Sequence, residues 1–363
     1  MRPLAHRIAA VAARRLAGDA RALALLDAAP RERRVLVRSV PAAPRTLVAR
    51  ELCRRRAHQG ARVRYLCLSD AAAAEVDRRF ATARRHGADV RAWPVRRLVA
   101  HLAADPRLAT AAEFARLRAA NLLSAPARRL DLLVVDGAED FDAADWALVR
   151  RLAQDAELWA FWDPAQAFWS DRPLPPDLFR GAAHLDLPAS RALPSGLRNA
   201  LAAYADDAAA IPVTTGDGLW LRIVDAKDPR PTLARIVAGL VDAGIGGHHV
   251  AVLSVAGRYR ATPFAAPRAG VEVRAADAPD AHRHLVTDTV LRHKGSMRSV
   301  VVLHDLARGT PRYATRMRIA LASATALAIV VATDADMAFD PRLLAGEGGT
   351  FEATSSSSPR HVA

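Results

Sequence analysis

Residues 131–169 read DLLVVDGAEDFDAADWALVRRLAQDAELWAFWDPAQAFW, and this stretch contains two short apolar runs that each end in an aspartate. Leu132–Val135 leads to Asp136, and Leu158–Trp162 leads to Asp163. Runs of this length are typical of buried parallel strands. Because ligands bind outside the carboxyl ends of the strands in an open α/β sheet, the two carboxylates predict a nucleotide site at one sheet edge. The alternative is that both aspartates only cap helices or form turns.

Strands and helices alternate on both sides of this stretch. Val35–Val37 and Val63–Leu68 are predicted strands upstream, and Val250–Ser254 and Val300–Leu303 are predicted strands downstream, with helical segments between them. This alternation predicts parallel sheets built from right-handed βαβ units. We therefore expect two α/β domains in tandem. The expected ranges are residues 1–30 for an N-terminal helix, 31–185 for the first domain, 186–340 for the second, and 341–363 for a disordered Gly/Ser-rich tail.

The composition agrees with a nucleic-acid partner without requiring one. The chain has 363 residues, 51% of them hydrophobic, which is enough for about two domains with buried cores. Its formal net charge is +14 at pH 7, a balance that favours polyanionic partners. The basic residues are mostly arginines spread along an alanine-rich chain, so a general compositional bias is the alternative explanation.

The features that bear on cellular location favour a reducing compartment. Cys53 and Cys67 lack the spacing of a zinc site or a disulfide framework, which fits the cytoplasm. No apolar run has the length of a membrane span, so no membrane partner is expected. Residues 1–26 are arginine-rich and amphipathic. They predict a helix that packs on the first domain, with an organellar targeting segment as the alternative.

The loop after the first predicted strand occupies the place of a phosphate-binding loop. Residues 39–46 read SVPAAPRT, whereas the phosphate-binding pattern is GxxxxGK[ST], and only Thr46 matches it. The glycines of that pattern let successive backbone N–H groups turn toward the phosphates. Pro44 has no N–H group, and Arg45 puts a planar guanidinium where the pattern has a compact ammonium. The loop by itself does not predict a nucleotide site.

The order of the motifs resembles that of the UvrD/Rep-type superfamily-1 helicases over roughly residues 33–335. Each motif alone has low specificity, and the resemblance depends on their order and spacing. In the first half, DGAED at 136–140 resembles the family's DEAQD, and DPAQ at 163–166, followed by Phe168 and Trp169, resembles GDxxQ. Arg191 corresponds to the arginine of NYR, and residues 234–254 resemble the helix and the IAVL strand of the second domain. Residues 289–302 (TVLRHKGSMRSVVV) resemble the KGLE motif, and residues 318–331 (RIALASATALAIVV) resemble YVALTRA. Residues 35–68 take the place of the Walker A unit.

The resemblance implies two RecA-like domains of the P-loop NTPase type in tandem, with ATP and Mg²⁺ as the family's cofactors. It also assigns roles to individual positions. Thr46 and Asp136 correspond to magnesium ligands, Asp163, Gln166 and Arg191 to γ-phosphate-sensing positions, Arg45 to the Walker A lysine, Lys294 and Gly295 to the KG pair, and Trp169 to a residue that stacks on a nucleic-acid base. For Trp169, burial in the core is the alternative.

Several positions depart from the family pattern where the chemistry takes place. The water-positioning glutamate of the family is Gly137, the adenine-stacking tyrosine is Ser190, the ribose-contacting glutamate is Met297 and the transition-state arginine is Ser323. Phosphoryl transfer is mostly positioning and charge stabilisation, and an arginine finger alone is worth about 10³–10⁵ in rate. The combined losses predict a degenerate nucleotide site in which no cofactor can be assigned with assurance.

The sequence therefore favours a pseudo-helicase, which binds nucleic acid (single-stranded DNA first) or a protein partner without efficient ATP hydrolysis. The first alternative is an ATP-dependent DNA helicase or translocase in which Arg45 and Glu139 replace the usual residues. The second is a nucleotide-independent scaffold. The missing glutamate, lysine and arginine weigh against an enzyme. DNA-stimulated turnover separates the first two hypotheses, and salt-dependent binding to single strands separates the first from the third.

Overall fold

Two six-stranded sheets follow one another along the chain, and the strands in both are parallel. The computed structural model describes residues 4–27, 32–41, 43–95, 97–98, 130–190, 193–205, 221–225, 229–257, 271–306 and 308–346. The predicted α/β class is therefore confirmed. The two parallel sheets agree with two RecA-like domains in tandem.

The first sheet brings the predicted site residues to one edge. Its strands are β1 (Arg34–Ser39), β2 (Val63–Cys67), β3 (Val90–Pro94), β4 (Leu132–Asp136), β5 (Glu157–Trp162) and β6 (Ala183–Leu187), in the order β3-β2-β4-β5-β1-β6. Because β5 lies between β1 and β4, the carboxyl ends of all three strands meet. Asp136 and Asp163 therefore lie next to the loop that follows β1.

Two of the five helices described in the first half begin at a side-chain cap. They are α1 (Leu4–Asp19), α2 (Ala24–Asp27), α3 (Arg45–His58), α4 (Asp70–Arg85) and α5 (Ala143–Leu152). Asp142 and Asp145 form a reciprocal capping box at the start of α5. Ser69 caps α4. In contrast, α3 begins directly after Pro44, and no side chain caps it.

The second sheet repeats the parallel arrangement. Its strands are β7 (Leu221–Asp225), β8 (Val250–Ser254), β9 (Val273–Arg274), β10 (Leu285–Thr289), β11 (Arg298–His304) and β12 (Ala324–Ala332), in the order β7-β12-β11-β8-β10-β9. The accompanying helices are α6 (Ser195–Ala203), α7 (Pro229–Asp242), α8 (Val290–His293), α9 (Tyr313–Ala322) and α10 (Asp334–Phe339). The chain crosses from the first sheet to the second between Leu187 and Ser195.

Each sheet is buried on both faces, as the apolar strands predict. In the first sheet, Val134 and Trp159 belong to the cluster on one face, whereas Leu133 and Leu158 belong to the cluster on the other. Alternate residues of one strand thus enter different cores. Burying each such side chain contributes about 1.5–3 kcal/mol, so the strand positions of the site residues are firmly set.

Three predicted ranges need correction. The strand β6 extends to Leu187, so the first sheet passes the expected boundary at residue 185. Residues 341–346 were expected in a disordered tail, but they form a 3₁₀ helix with Leu343 buried. Leu23, Leu25 and Leu26 pack on the first sheet as predicted, whereas the α1 residues Ile8 and Val11 are buried against the second. Residues 347–363 and Arg191 lie outside the described residues.

Candidate nucleotide-binding and nucleic-acid-binding site

The loop after β1 places two side chains directly on the carboxylate at the end of β4. Arg45 Nε lies 2.7 Å from Asp136 Oδ1, as an ion pair that is not aligned as a hydrogen bond. Thr46 Oγ1 donates to Asp136 Oδ2 over 2.6 Å. The Tyr65 hydroxyl donates to the same oxygen. The carboxylate of Asp136 is therefore surrounded by protein groups.

The same arginine pairs with a second carboxylate in the turn after β4. Arg45 Nη1 lies 3.1 Å from Glu139 Oε1 and 3.3 Å from Oε2. Lys294, which follows α8 on the second sheet, extends to this turn. Its Nζ lies 3.2 Å from Glu139 Oε1 and 2.6 Å from Asp140 Oδ1. Lys294 therefore joins the two halves of the molecule through buried ion pairs.

Asp163 completes the cluster from the end of β5. Its side chain accepts from the backbone N–H of Ala165 over 3.0 Å and from Gln166 Nε2 over 2.7 Å. Its own backbone N–H donates to Glu139 Oε2 over 3.1 Å. The contacts of Asp163 are thus those of a turn-forming residue, as the alternative interpretation predicts. The residue also lies in the predicted site.

Burial and unequal charge shift the pKa values across this cluster. Four carboxylates face only two cations, Arg45 and Lys294. Burial raises the pKa of Asp140 to about 6 against the opposing charge of Lys294. Burial and the charge of Glu139 likewise raise the pKa of Asp163 to about 6. For Glu139, burial acts upward, but Arg45 and Lys294 outweigh it and lower its pKa to about 2.

The pKa values of the two cations are shifted upward. Burial acts to lower the pKa of Arg45 and of Lys294, but the neighbouring carboxylates raise both above their ordinary values. Glu139 is the carboxylate that both cations contact. The cluster is therefore a buried network of ion pairs with Glu139 at its centre.

The geometry does not fit a magnesium ion at the residues that the resemblance assigns to it. Thr46 and Asp136 bond to each other, and a guanidinium lies against the second oxygen of Asp136. A divalent cation at that oxygen would meet a positive charge at contact distance. Within the described residues, no group of three or more His, Cys, Asp or Glu side chains is arranged to hold a metal ion.

The structure shows the local surroundings of two positions that depart from the family pattern. Gly137 has φ of +79°, a conformation that a glutamate rarely adopts. Ser323 Oγ donates to the carbonyl of Ile319 in its own helix over 2.9 Å. Neither position therefore offers a group to a reacting phosphate.

The cleft beside the β1–α3 loop is small. It has a volume of about 80 Å³ and is lined by residues that include Pro44, Thr46, Gln166 and Ser323. A neighbouring cavity of about 290 Å³ is lined by residues that include Arg45 and Asp136, and pockets for small molecules usually have volumes of about 300–1,000 Å³. Gly295 borders both cavities, and a Cβ there would lie 3.0 Å from the Cβ of Ala72 in α4.

A second surface combines aromatic rings with arginines. The guanidinium of Arg172 lies 4.1 Å from the ring centre of Trp169, and that of Arg316 lies 4.8 Å from Phe168. Arg312 lies 5.6 Å from Phe168. All of these residues except Arg172 border a groove of about 390 Å³ that reaches α9 of the second half. We call Phe168, Trp169, Arg172, Arg312 and Arg316 the aromatic–arginine surface.

Sequence reasoning found only part of this surface. Trp169 was a candidate, and it is half-buried instead of lying in the core. Arg172, Arg312 and Arg316 were missed. Arg312 directly precedes α9 in a left-handed conformation, and Arg316 follows four residues later in the first turn of that helix. That spacing is visible in the sequence, but its position opposite Phe168 is not.

None of the described helices combines the length and the apolar character that a membrane crossing requires.

No protein-family model and no curated protein matches the chain. Solved structures with similar architecture include arterivirus nonstructural protein 10 (helicase), at 11% identity and a TM-score of 0.44, covering 85% of this chain and 60% of that one. The PRRSV helicase matches at 13% identity and a TM-score of 0.45, covering 82% and 52%. A complex of arterivirus nonstructural protein 10 with DNA matches at 13% and 0.42, covering 84% and 63%. The chain thus spans less than two thirds of the length of these proteins, and likeness at this level concerns architecture alone.

Proposed function

We propose that this chain is a UvrD/Rep-like pseudo-helicase that binds nucleic acid, single-stranded DNA first, without efficient ATP hydrolysis. The observation that carries the proposal is the double pairing of Arg45 with Asp136 and Glu139. This pairing puts a protein cation against the carboxylate that the resemblance assigns to Mg²⁺. A nucleotide would have to break the network before its phosphates could take the same place.

The missing catalytic groups support the same conclusion. Gly137 and Ser323 supply neither a carboxylate for the attacking water nor a charge for the transition state. The loss of an arginine finger alone lowers the rate by about 10³–10⁵. Because the remaining candidates, Thr46 and Asp136, bond to each other, we expect negligible turnover.

Nucleic-acid binding is supported by the aromatic–arginine surface. A base stacked on an aromatic side chain contributes about 1–3 kcal/mol, and such stacking tolerates any sequence. Arg172, Arg312 and Arg316 supply positive charge at the same place. The formal net charge of +14 favours the approach of a polyanion. A protein partner is the second candidate.

Nucleotide binding and DNA binding are tested separately. The melting temperature is followed with a magnesium–ATP analogue at concentrations up to about 1 mM, which is the upper end of ordinary KM values. We expect no rise in the melting temperature. A ligand present at 100 times its Kd would stabilise the folded state by about 2.7 kcal/mol. DNA-stimulated turnover that Asp136→Asn abolishes would identify an ATP-dependent motor instead.

Binding of a labelled oligothymidylate is followed by fluorescence anisotropy. With about three phosphate contacts, affinity should fall about tenfold or more between ~50 and ~200 mM salt. Absence of salt-dependent binding would favour the scaffold hypothesis.

A further inference from the structure

The N-terminal segment, residues 4–27, is buried against both sheets. In α1, Ile8 and Val11 belong to the apolar cluster of the second sheet, together with Leu233 and Val237 of α7. In α2, Leu26 belongs to the cluster of the first sheet. The segment therefore passes from one core to the other within a short stretch of chain, and it links the two sheets in addition to residues 188–194 and the buried ion pairs of Lys294.

Charged side chains are buried at the point where the segment crosses. Arg15 Nη1 donates to the carbonyl of Ala324, at the start of β12, over 3.3 Å. Arg15 Nε lies 3.4 Å from Asp19 Oδ2. Asp19 in turn accepts a hydrogen bond from the hydroxyl of Ser190. Ser190 lies on the connection between β6 and α6, so the end of α1 is bonded to the segment that connects the two sheets.

This polar contact indicates a role beyond simple packing. A buried ion pair stabilises little compared with apolar residues of the same size, because both ions lose their hydration. Its best-attested effect is to fix one geometry among several. Arg15 bonds to the second sheet, and Asp19 bonds to the segment that connects the sheets. Rotation of one sheet relative to the other would move these two parts relative to each other.

The same residues close the small cleft. Arg15 and Asp19 line the 80 Å³ cavity together with Pro44 and Thr46 on one side and Ser323 on the other. Arg15 Nη2 also lies 3.8 Å from the sulfur of Met297. The end of α1 thus forms one wall of the space between the β1–α3 loop and the second sheet.

We propose that residues 4–27 form an intramolecular brace that holds the two sheets in one relative orientation and keeps the cleft between them closed. Opening the cleft requires Arg15 to leave Ala324 and Asp19 to leave Ser190. The brace acts in addition to the ion pairs of Lys294, and it does not depend on whether the chain binds nucleotide or nucleic acid.

Distance measurements across the two halves test the brace. Spin labels are placed at Gln59→Cys and Ala335→Cys, both at exposed positions, in the full chain; the native Cys53 and Cys67 are buried. With the brace intact, pulsed electron resonance should give a single narrow distance distribution. Arg15→Ala and Asp19→Asn each remove a charge-assisted contact, so each should enlarge a second population roughly tenfold.

Matched variants keep the test decisive. Arg14→Ala changes an exposed arginine next to Arg15 on the same helix and should leave the distribution narrow. Ser190→Ala removes only the hydroxyl on the crossing segment, and it serves if an α1 variant fails to fold. Narrow distributions in Arg15→Ala, Asp19→Asn and Ser190→Ala alike would overturn the brace. Since the samples contain no nucleotide or DNA, that result would leave the proposed function untouched.

Discussion

The guanidinium of Arg45 lies 2.7 Å from the carboxylate of Asp136, measured from Nε to Oδ1, and the same side chain reaches Glu139. Arg45 begins the helix after β1, and Asp136 ends β4. The residue that the resemblance assigns to the Walker A lysine is thus paired with the residue that it assigns to Mg²⁺. Protein side chains therefore contact both oxygens of that carboxylate, next to a cavity of about 290 Å³.

Arg45→Ala should destabilise the protein strongly. The change leaves the carboxylates of Asp136 and Glu139 buried with one fewer cation, and breaking a buried ion pair costs about 3–5 kcal/mol. Chemical denaturation measures the loss. The control is Arg54→Ala in the same helix, where the ion pair with Glu51 is exposed and worth about 0–1 kcal/mol. Equal effects of the two substitutions would contradict the network.

Asp163→Asn should stabilise the protein above about pH 6. Burial raises the pKa of Asp163 from 3.8 to about 6, so the folded state holds this proton more tightly than the unfolded state. Stability from this group is therefore full below pH 3.8 and is lost as pH rises to about 6. Asparagine can still accept from Ala165, and the Gln166 amide can reverse to pair with it.

The comparison needs two pH values and one control. At about pH 8 we expect Asp163→Asn to exceed the parent by roughly 1–3 kcal/mol in unfolding free energy, with the difference vanishing near pH 4. The exposed Asp155→Asn should show no such dependence. A loss of stability at pH 8 would mean that the ionised carboxylate is needed by Arg45.

His293→Leu should make the protein less sensitive to acid. His293 is buried, and neither ring nitrogen has a hydrogen-bond partner among the described residues. Burial lowers its pKa from 6.5 to about 3. The unfolded state therefore binds a proton below pH 6.5, whereas the folded state does not bind it until the pH approaches 3. As a result, the stability of the parent falls as the pH drops toward 3.

The leucine variant removes both the unpaired nitrogens and this proton uptake. Relative to the variant, the parent should lose about 1.4 kcal/mol per pH unit below 6.5. The exposed His58→Leu provides the comparison and should track the parent. Parallel stability curves for parent and His293→Leu between pH 4 and 7 would show that the imidazole is charged or hydrated in the folded state.

Trp169→Ala should weaken binding to single-stranded DNA by about 1–3 kcal/mol, and Trp169→Phe should retain most of the affinity, because stacking needs only a ring. Arg312→Gln should reduce the salt slope by about 0.7, the value expected for one lost phosphate contact. The exposed Arg180→Ala lies outside the surface and should change neither quantity. Unchanged affinity in Trp169→Ala would exclude base stacking there.

The sequence by itself determined the two parallel sheets and the edge at which the site lies. Apolar runs such as Leu132–Val135 are buried on both faces, and such runs form strands because their side chains leave water on either side of the sheet. Once β4 and β5 are neighbours, Asp136 and Asp163 must lie close together. The capping of α5 by Asp142 was likewise a local property, since the residues involved are three apart in the chain.

Only the tertiary structure decided what surrounds those aspartates. Arg45 and Glu139 are 94 residues apart, and Lys294 and Asp140 are 154 apart. Their pairing depends on the direction of long side chains across a fold, which no local pattern encodes. The same holds for α1. Its position against the second sheet depends on Ile8 and Val11 packing with residues such as Leu233 and Val237, contacts that exist only after that sheet has formed.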